Sequence, residues 1–199
     1  MRSLAVRGGA LVLALLLLTV GWFGGLHASG NYHEVLADEL YRSAQLSGPE
    51  LARRIEDDGI RSVINLRGSQ TNSAWYDAEI AATRAAGAEH IDWRMSSAEH
   101  LDAARANELV ALIEAAPKPV LIHCAGGADR TGLASALYLA AQGHSLEEAG
   151  DQLSARYGFV GIKGVTRPWP MWESWTRLGA DMAAHPPAPA DAAGRLAAN

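Results

Sequence analysis

Pro119–His123 reads Pro-Val-Leu-Ile-His, followed by Cys124-Ala125-Gly126-Gly127-Ala128-Asp129-Arg130 and a helical run from Thr131 to Ala141. A short, almost wholly apolar run of this kind is the pattern of a strand buried on both faces, the situation of strands in a parallel sheet. Such sheets are covered by helices on their faces, so this one segment narrows the chain to a layered α/β architecture. In open α/β sheets ligands bind beyond the carboxyl ends of the strands, and anions favour helix amino termini. Cys124 lies where both rules point.

The rest of the chain agrees with that frame. Val35–Leu36 and Leu40–Ser43 read as short strands, and Ser47-Gly48-Pro49-Glu50 opens a helix that Gly59 closes. Ile60–Leu66 is a compact strand with a polar loop, Gly68–Ser73, behind it. Ala74–Ala86 is helical, and Ala88–Met95 alternates Ile91, Trp93 and Met95 on one face as a strand does. Leu101–Ala115, Leu146–Tyr157 and Met171–Ala184 read as further helices. Alternation of strand and helix predicts an α/β fold with a mostly parallel central sheet flanked by helices.

Both ends of the chain read differently from its middle. Arg2 and Arg7 precede a run without charged residues, Gly8–Leu26, densest at Ala10–Val20. About 20 apolar residues cross a bilayer core, so residues 1–28 are expected to form an amino-terminal transmembrane helix or a cleaved signal segment. The arginines then stay inside and the following domain lies outside the cytoplasm, on the periplasmic side in a bacterium. Residues 29–184 form the expected folded domain, and the Pro/Ala-rich residues 185–199 a disordered tail. The formal net charge of -5 argues against a nucleic-acid partner. One cysteine excludes an intramolecular disulfide and any zinc site built on several cysteines.

A loop as short as Cys124–Arg130 can curl until its backbone N–H groups face one centre, the nest that holds a phosphate. Ala125, Gly126, Gly127, Ala128 and Asp129 supply those amides, with Gly126 and Gly127 free to take unusual dihedrals. Arg130 ends the curl, and its planar fork can grip two phosphate oxygens. The same positive field favours the thiolate form of Cys124. Thr131 is placed to hydrogen-bond that sulfur, and His123 to order the loop.

His123-Cys124-Ala125-Gly126-Gly127-Ala128-Asp129-Arg130-Thr131-Gly132 resembles the HCxxGxxR(S/T)G signature of the protein tyrosine and dual-specificity phosphatase superfamily. Leu40-Tyr41-Arg42-Ser43-Ala44-Gln45 and Gly59–Arg67 (GIRSVINLR) resemble the openings of compact bacterial and fungal dual-specificity-like members. The resemblance implies phosphomonoester hydrolysis in two steps. Cys124 attacks phosphorus to form a cysteinyl-phosphate, an acid protonates the leaving oxygen, and water then releases phosphate. Arg130 and the loop amides stabilise the equatorial oxygens, and neither metal nor other cofactor is implied. The implied partner is a phosphorylated substrate: a phosphoprotein, a lipid phosphate or a small phosphomonoester.

The resemblance leaves several candidates for the acid. Lipid-directed members with an HCxxGKDR loop, and myotubularin-like ones, resemble the chain in carrying aspartate just before the arginine, which points to Asp129. Elsewhere in the superfamily an upstream aspartate serves, which points to Asp92, Glu99 or Asp102. Arg67, after a strand end, can approach the same sheet edge or form a surface ion pair. Two other functions fit the residues less fully: a phosphate-binding pseudo-phosphatase or scaffold, and a sulfurtransferase, which also carries a cysteine loop after a strand.

Overall fold

A computed structural model of the chain describes residues 2–187, with side chains from residue 12 on. Of the expected disordered tail, residues 188–199 lie outside the described residues. The elements run α1 Arg2–Ala28, β1 His33–Leu36, β2 Leu40–Ser43, α2 Gly48–Asp57, β3 Ser62–Asn65 and α3 Ala74–Ala85. There follow β4 Glu89–Asp92, α4 Ala103–Ala115, β5 Val120–His123, α5 Arg130–Ala141, α6 Leu146–Gly150 and α7 Trp169–Ala184.

The five-stranded sheet has the order β1-β2-β5-β3-β4. β2, β5, β3 and β4 are parallel, and β1 closes one edge antiparallel to β2. The sheet is therefore mixed, with the parallel part carrying the centre. Register sets Ser43, His123, Asn65 and Asp92 in one row at the carboxyl end. Alternation along the strands sorts their side chains between two cores. Leu40, Ile64, Ile91, Val120 and Ile122 pack under α4, α5 and α7, whereas Tyr41, Val63 and Leu121 face α2 and its neighbour α3. By the same parity His123, Asn65, His90 and Asp92 turn toward α3, and Arg42 turns toward α5.

Local chemistry accounts for the helix starts. The Ser47 side chain accepts from the Glu50 amide with Pro49 in the first turn, and Asp102 accepts from the Arg105 amide. The single helix expected over Leu146–Tyr157 is broken into α6 and two 3-10 turns, Asp151–Leu153 and Ala155–Tyr157. The extended Ser154 (φ -126°, ψ 166°) interrupts the helical ladder. The Gln152 carbonyl is given instead to Arg42 Nη1, 3.0 Å away.

The amino-terminal expectation is corrected. α1 is helical, but among the described residues no helix is long and apolar enough to cross a membrane. The dense apolar part, Ala10–Val20, is 11 of the 19 residues of the uncharged run. Beyond it come Gly21, Gly24 and Gly25, and the last turns dock on the domain. Trp22 Nε1 donates to the Ala155 carbonyl at 3.1 Å, and Phe23 and Leu26 lie over Gly158. A membrane partner reached through this helix, and a domain held outside the cytoplasm by it, lose their basis.

Candidate active site

β5 ends at His123, and Cys124–Asp129 turn the chain into α5, whose first residue is Arg130. Cys124 is 2% exposed. Gly127 has φ +69°, and a Cβ there would stand 2.6 Å from the Ala44 nitrogen and the Ser43 carbonyl carbon. The loop thus lies flat against the end of β2, which only glycine permits. Gly126 takes no left-handed conformation, so the expected conformational role falls to Gly127 alone.

Three consecutive loop carbonyls are drawn outward. The Gln45 amide donates to the Ala125 oxygen at 3.2 Å, Asn31 Nδ2 to the Gly126 oxygen at 3.0 Å, and Arg42 Nη2 to the Gly127 oxygen at 2.6 Å. With the carbonyls held outside, the amides face the other way. None of the N–H groups from Ala125 to Asp129 donates to another protein group among the described residues. Together with the amino terminus of α5, this is a nest suited to an oxyanion.

Arg42 lies beneath the nest, fully buried, with Nη1 also donating to Gln152 Oε1 at 2.6 Å and its guanidinium 3.8 Å from the Tyr157 ring centre. Burial pulls its pKa down to about 10, so it stays charged near neutrality. Arg130 is the loop's own cation. Its nearest hydrogen-bond partner is the Met95 carbonyl, at 3.5 Å, and its buried Nε has none among the described residues. Buried Thr131 Oγ1 is likewise unpartnered. Asp129 caps α5 without a side-chain capping bond, and burial raises its pKa against the opposing charge of Arg130.

Two further groups complete the site. Arg67 leaves the end of β3, stacks 3.8 Å from the Trp75 ring centre and donates to Gln45 Oε1 at 3.2 Å. Burial lowers its pKa and the charge of Arg130 lowers it further, while Glu79 and Cys124 act oppositely. It therefore shares the field of the loop instead of forming a surface ion pair. Glu79 of α3 is 2% exposed and accepts from His123 Nε2 at 3.2 Å and His90 Nε2 at 2.9 Å.

The family model described as the tyrosine phosphatase family matches residues 23–151. The chain belongs to this family. No curated protein matches it. Among solved structures it is similar to TpbA of P. aeruginosa at 20% identity, covering 79% of this chain and 93% of that one with a TM-score of 0.60. It is similar also to Tk-PTP in its active form (19% identity, 78% and 97% covered, TM-score 0.57) and to PTPMT1 (18%, 84% and 99%, 0.56). At such identities these likenesses show a shared fold.

Within this phosphatase-family chain the acid candidates separate. Asp92 ends the edge strand β4 and accepts from Asn65 Nδ2 at 2.9 Å and from the Tyr76 hydroxyl, bonds that turn it toward α3. Asp102 Oδ1 accepts from the Arg105 amide at 2.8 Å, capping α4. Glu99 is exposed in the turn before it. Asp129 alone is contiguous with both the nest and Arg130. Glu79, Asn31 and Gln152 escaped the sequence reading. Glu79 sits in an alanine-rich helix that looks like any solvated one, and Asn31 and Gln152 lie far from Cys124 along the chain.

Proposed function

We propose that residues 29–184 form the catalytic unit of a phosphomonoesterase working through a cysteinyl-phosphate on Cys124. The observation that carries this reading is the loop whose carbonyls are tied outward and whose amides are left free around a buried thiol. A phosphoryl group seated there has Cys124 sulfur beneath phosphorus, and its three equatorial oxygens meet the amides of Ala125–Asp129 and the Arg130 fork. Such preorganised donors stabilise charge as it develops in the transition state. The sulfur–phosphorus bond forms as the ester oxygen leaves with a proton from Asp129. A water then attacks phosphorus, gives its proton back to Asp129, and the sulfur departs to Thr131 and the helix amino terminus.

Asp129 suits the acid role because burial favours its protonated form. The substrate class is a phosphorylated protein, most directly phosphotyrosine with dual specificity. The family supports this, as does the similar TpbA, which has been solved in complex with pTyr. PTPMT1, another similar fold, has been solved with PI(5)P, so a lipid phosphate belongs in the same assay.

The test is hydrolysis of an aryl phosphate with EDTA present, by wild type, Cys124→Ser and Asp129→Asn. Turnover that persists in wild type and vanishes in Cys124→Ser supports the thiol mechanism. Phosphate binding without turnover in wild type overturns it in favour of a phosphate-binding scaffold.

A further inference from the structure

Glu79 is a carboxylate buried in α3, outside the signature loop, and three donors converge on it. Its Oε1 accepts from both imidazoles, His90 and His123, and its Oε2 accepts from Gln45 Nε2. Burial by itself would raise its pKa, but the hydrogen bonds from His123, His90 and Gln45 with the charge of His123 prevail and bring it down to about 2. It is therefore ionised at neutral pH, and an ionised carboxylate only accepts. Both imidazoles must then turn an Nε2–H toward it, and Gln45 must turn its NH2 toward it.

Orienting Gln45 has a second effect. With its nitrogen committed to Glu79, its carbonyl faces outward, and there it accepts from Arg67 Nη1 at 3.2 Å. Arg67 is thus held between the Gln45 oxygen and the Trp75 ring, with no carboxylate among its hydrogen-bond partners in the described residues. On the other branch, His123 immediately precedes Cys124, so the ring held by Glu79 fixes where β5 releases the loop.

We infer that Glu79 is a positioning residue for the phosphate site, setting the His123 ring behind Cys124 and, through Gln45, aiming Arg67 at the anion. The inference rests on the phosphate-nest reading above. It accounts for a buried acid that the two-step chemistry does not use. A glutamine in its place could satisfy the imidazoles with its oxygen only by presenting NH2 to the NH2 of Gln45. Gln45 would then have to flip and offer its own NH2 to Arg67, so one branch breaks.

Two readouts test this on the full chain: calorimetric binding of inorganic phosphate, and kcat and KM for an aryl phosphate. Gln45→Leu should weaken phosphate binding and raise KM about tenfold, the size of one lost charge-assisted hydrogen bond, while kcat stays within about twofold. Glu79→Gln should do the same and also lower kcat about tenfold or more, through His123. Adding Arg67→Leu to Gln45→Leu should weaken phosphate binding no further than Arg67→Leu alone.

Wild-type phosphate affinity and KM in both variants, or fully additive losses in the double variant, would overturn the proposal. Should Glu79→Gln fail to fold, Gln45→Leu and its cycle with Arg67→Leu still decide it. A wild type that binds phosphate without turning over sinks the phosphatase reading but leaves the binding arm to judge Glu79. A wild type that binds no phosphate overturns both.

Discussion

At Asp129, burial and electrostatics pull in opposite directions. Burial raises its pKa, and the neighbouring Arg130 lowers it by less. The folded value therefore lies above the unfolded one, so ionising this carboxyl costs the folded state. Its contribution is fully present below the unfolded pKa and is lost as pH rises through the folded value. Asp129→Asn should accordingly melt higher than wild type at pH 7, with the difference closing toward pH 3. The same substitution should lower kcat about 100-fold for an alkyl phosphate and less for p-nitrophenyl phosphate, whose leaving group needs little proton donation. Thermal melts across pH beside kinetics on the two esters check both halves. A gain in stability with a loss in activity is the signature of a side chain retained for chemistry.

At the scale of elements, the site is a junction of β2, β5 and α5 with no slack. Gly127→Ala would drive a methyl into the β2 backbone, 2.6 Å from Ala44 N, and strain a left-handed residue as well. Its cost should be about 2–4 kcal/mol in urea unfolding, with phosphate binding lost. Gly132 is the tighter test of α5, because its Cβ would lie 2.7 Å from the Gln152 oxygen, the acceptor of Arg42. Gly132→Ala should therefore weaken phosphate binding although it touches no loop residue, through displacement of Arg42 from beneath Gly127. Calorimetry on both variants distinguishes this relay from simple destabilisation, which Gly132→Ala in helical context would otherwise oppose.

For the molecule as a whole, Glu79 links the site to acid stability. Its pKa is depressed from an ordinary 4.5 to about 2, so it stabilises the fold above the unfolded value. That contribution, on the order of 3 kcal/mol, is lost as pH falls from about 5 through 2. Stability measured by urea unfolding should fall over this window, and Glu79→Gln should flatten the fall. The two cores also divide the labour of the molecule. The α4–α5–α7 side carries most of the apolar packing, and the α2–α3 side carries the polar network that holds the loop from behind.

What the sequence determined by itself was mostly local. Pro119–His123 announced a buried strand, the run after it a tight curl into a helix, and Ser47 the start of a helix whose capping bond closes within a few residues. Only the tertiary structure decided the rest, because it depends on groups far apart in the chain. Strand parity sent Asp92 to Tyr76 and Asn65 and left Asp129 beside the nest. Folding brought Asn31, Arg42 and Gln45 to three successive loop carbonyls, and Glu79 to two imidazoles. The amino-terminal run shows the limit from the other direction. Its composition resembles a membrane span, but no described helix is long and apolar enough to cross a membrane, and its last turns are spent on Ala155 and Gly158. A buried carboxylate and a solvated one look alike in a sequence; only the neighbours that the fold supplies tell them apart.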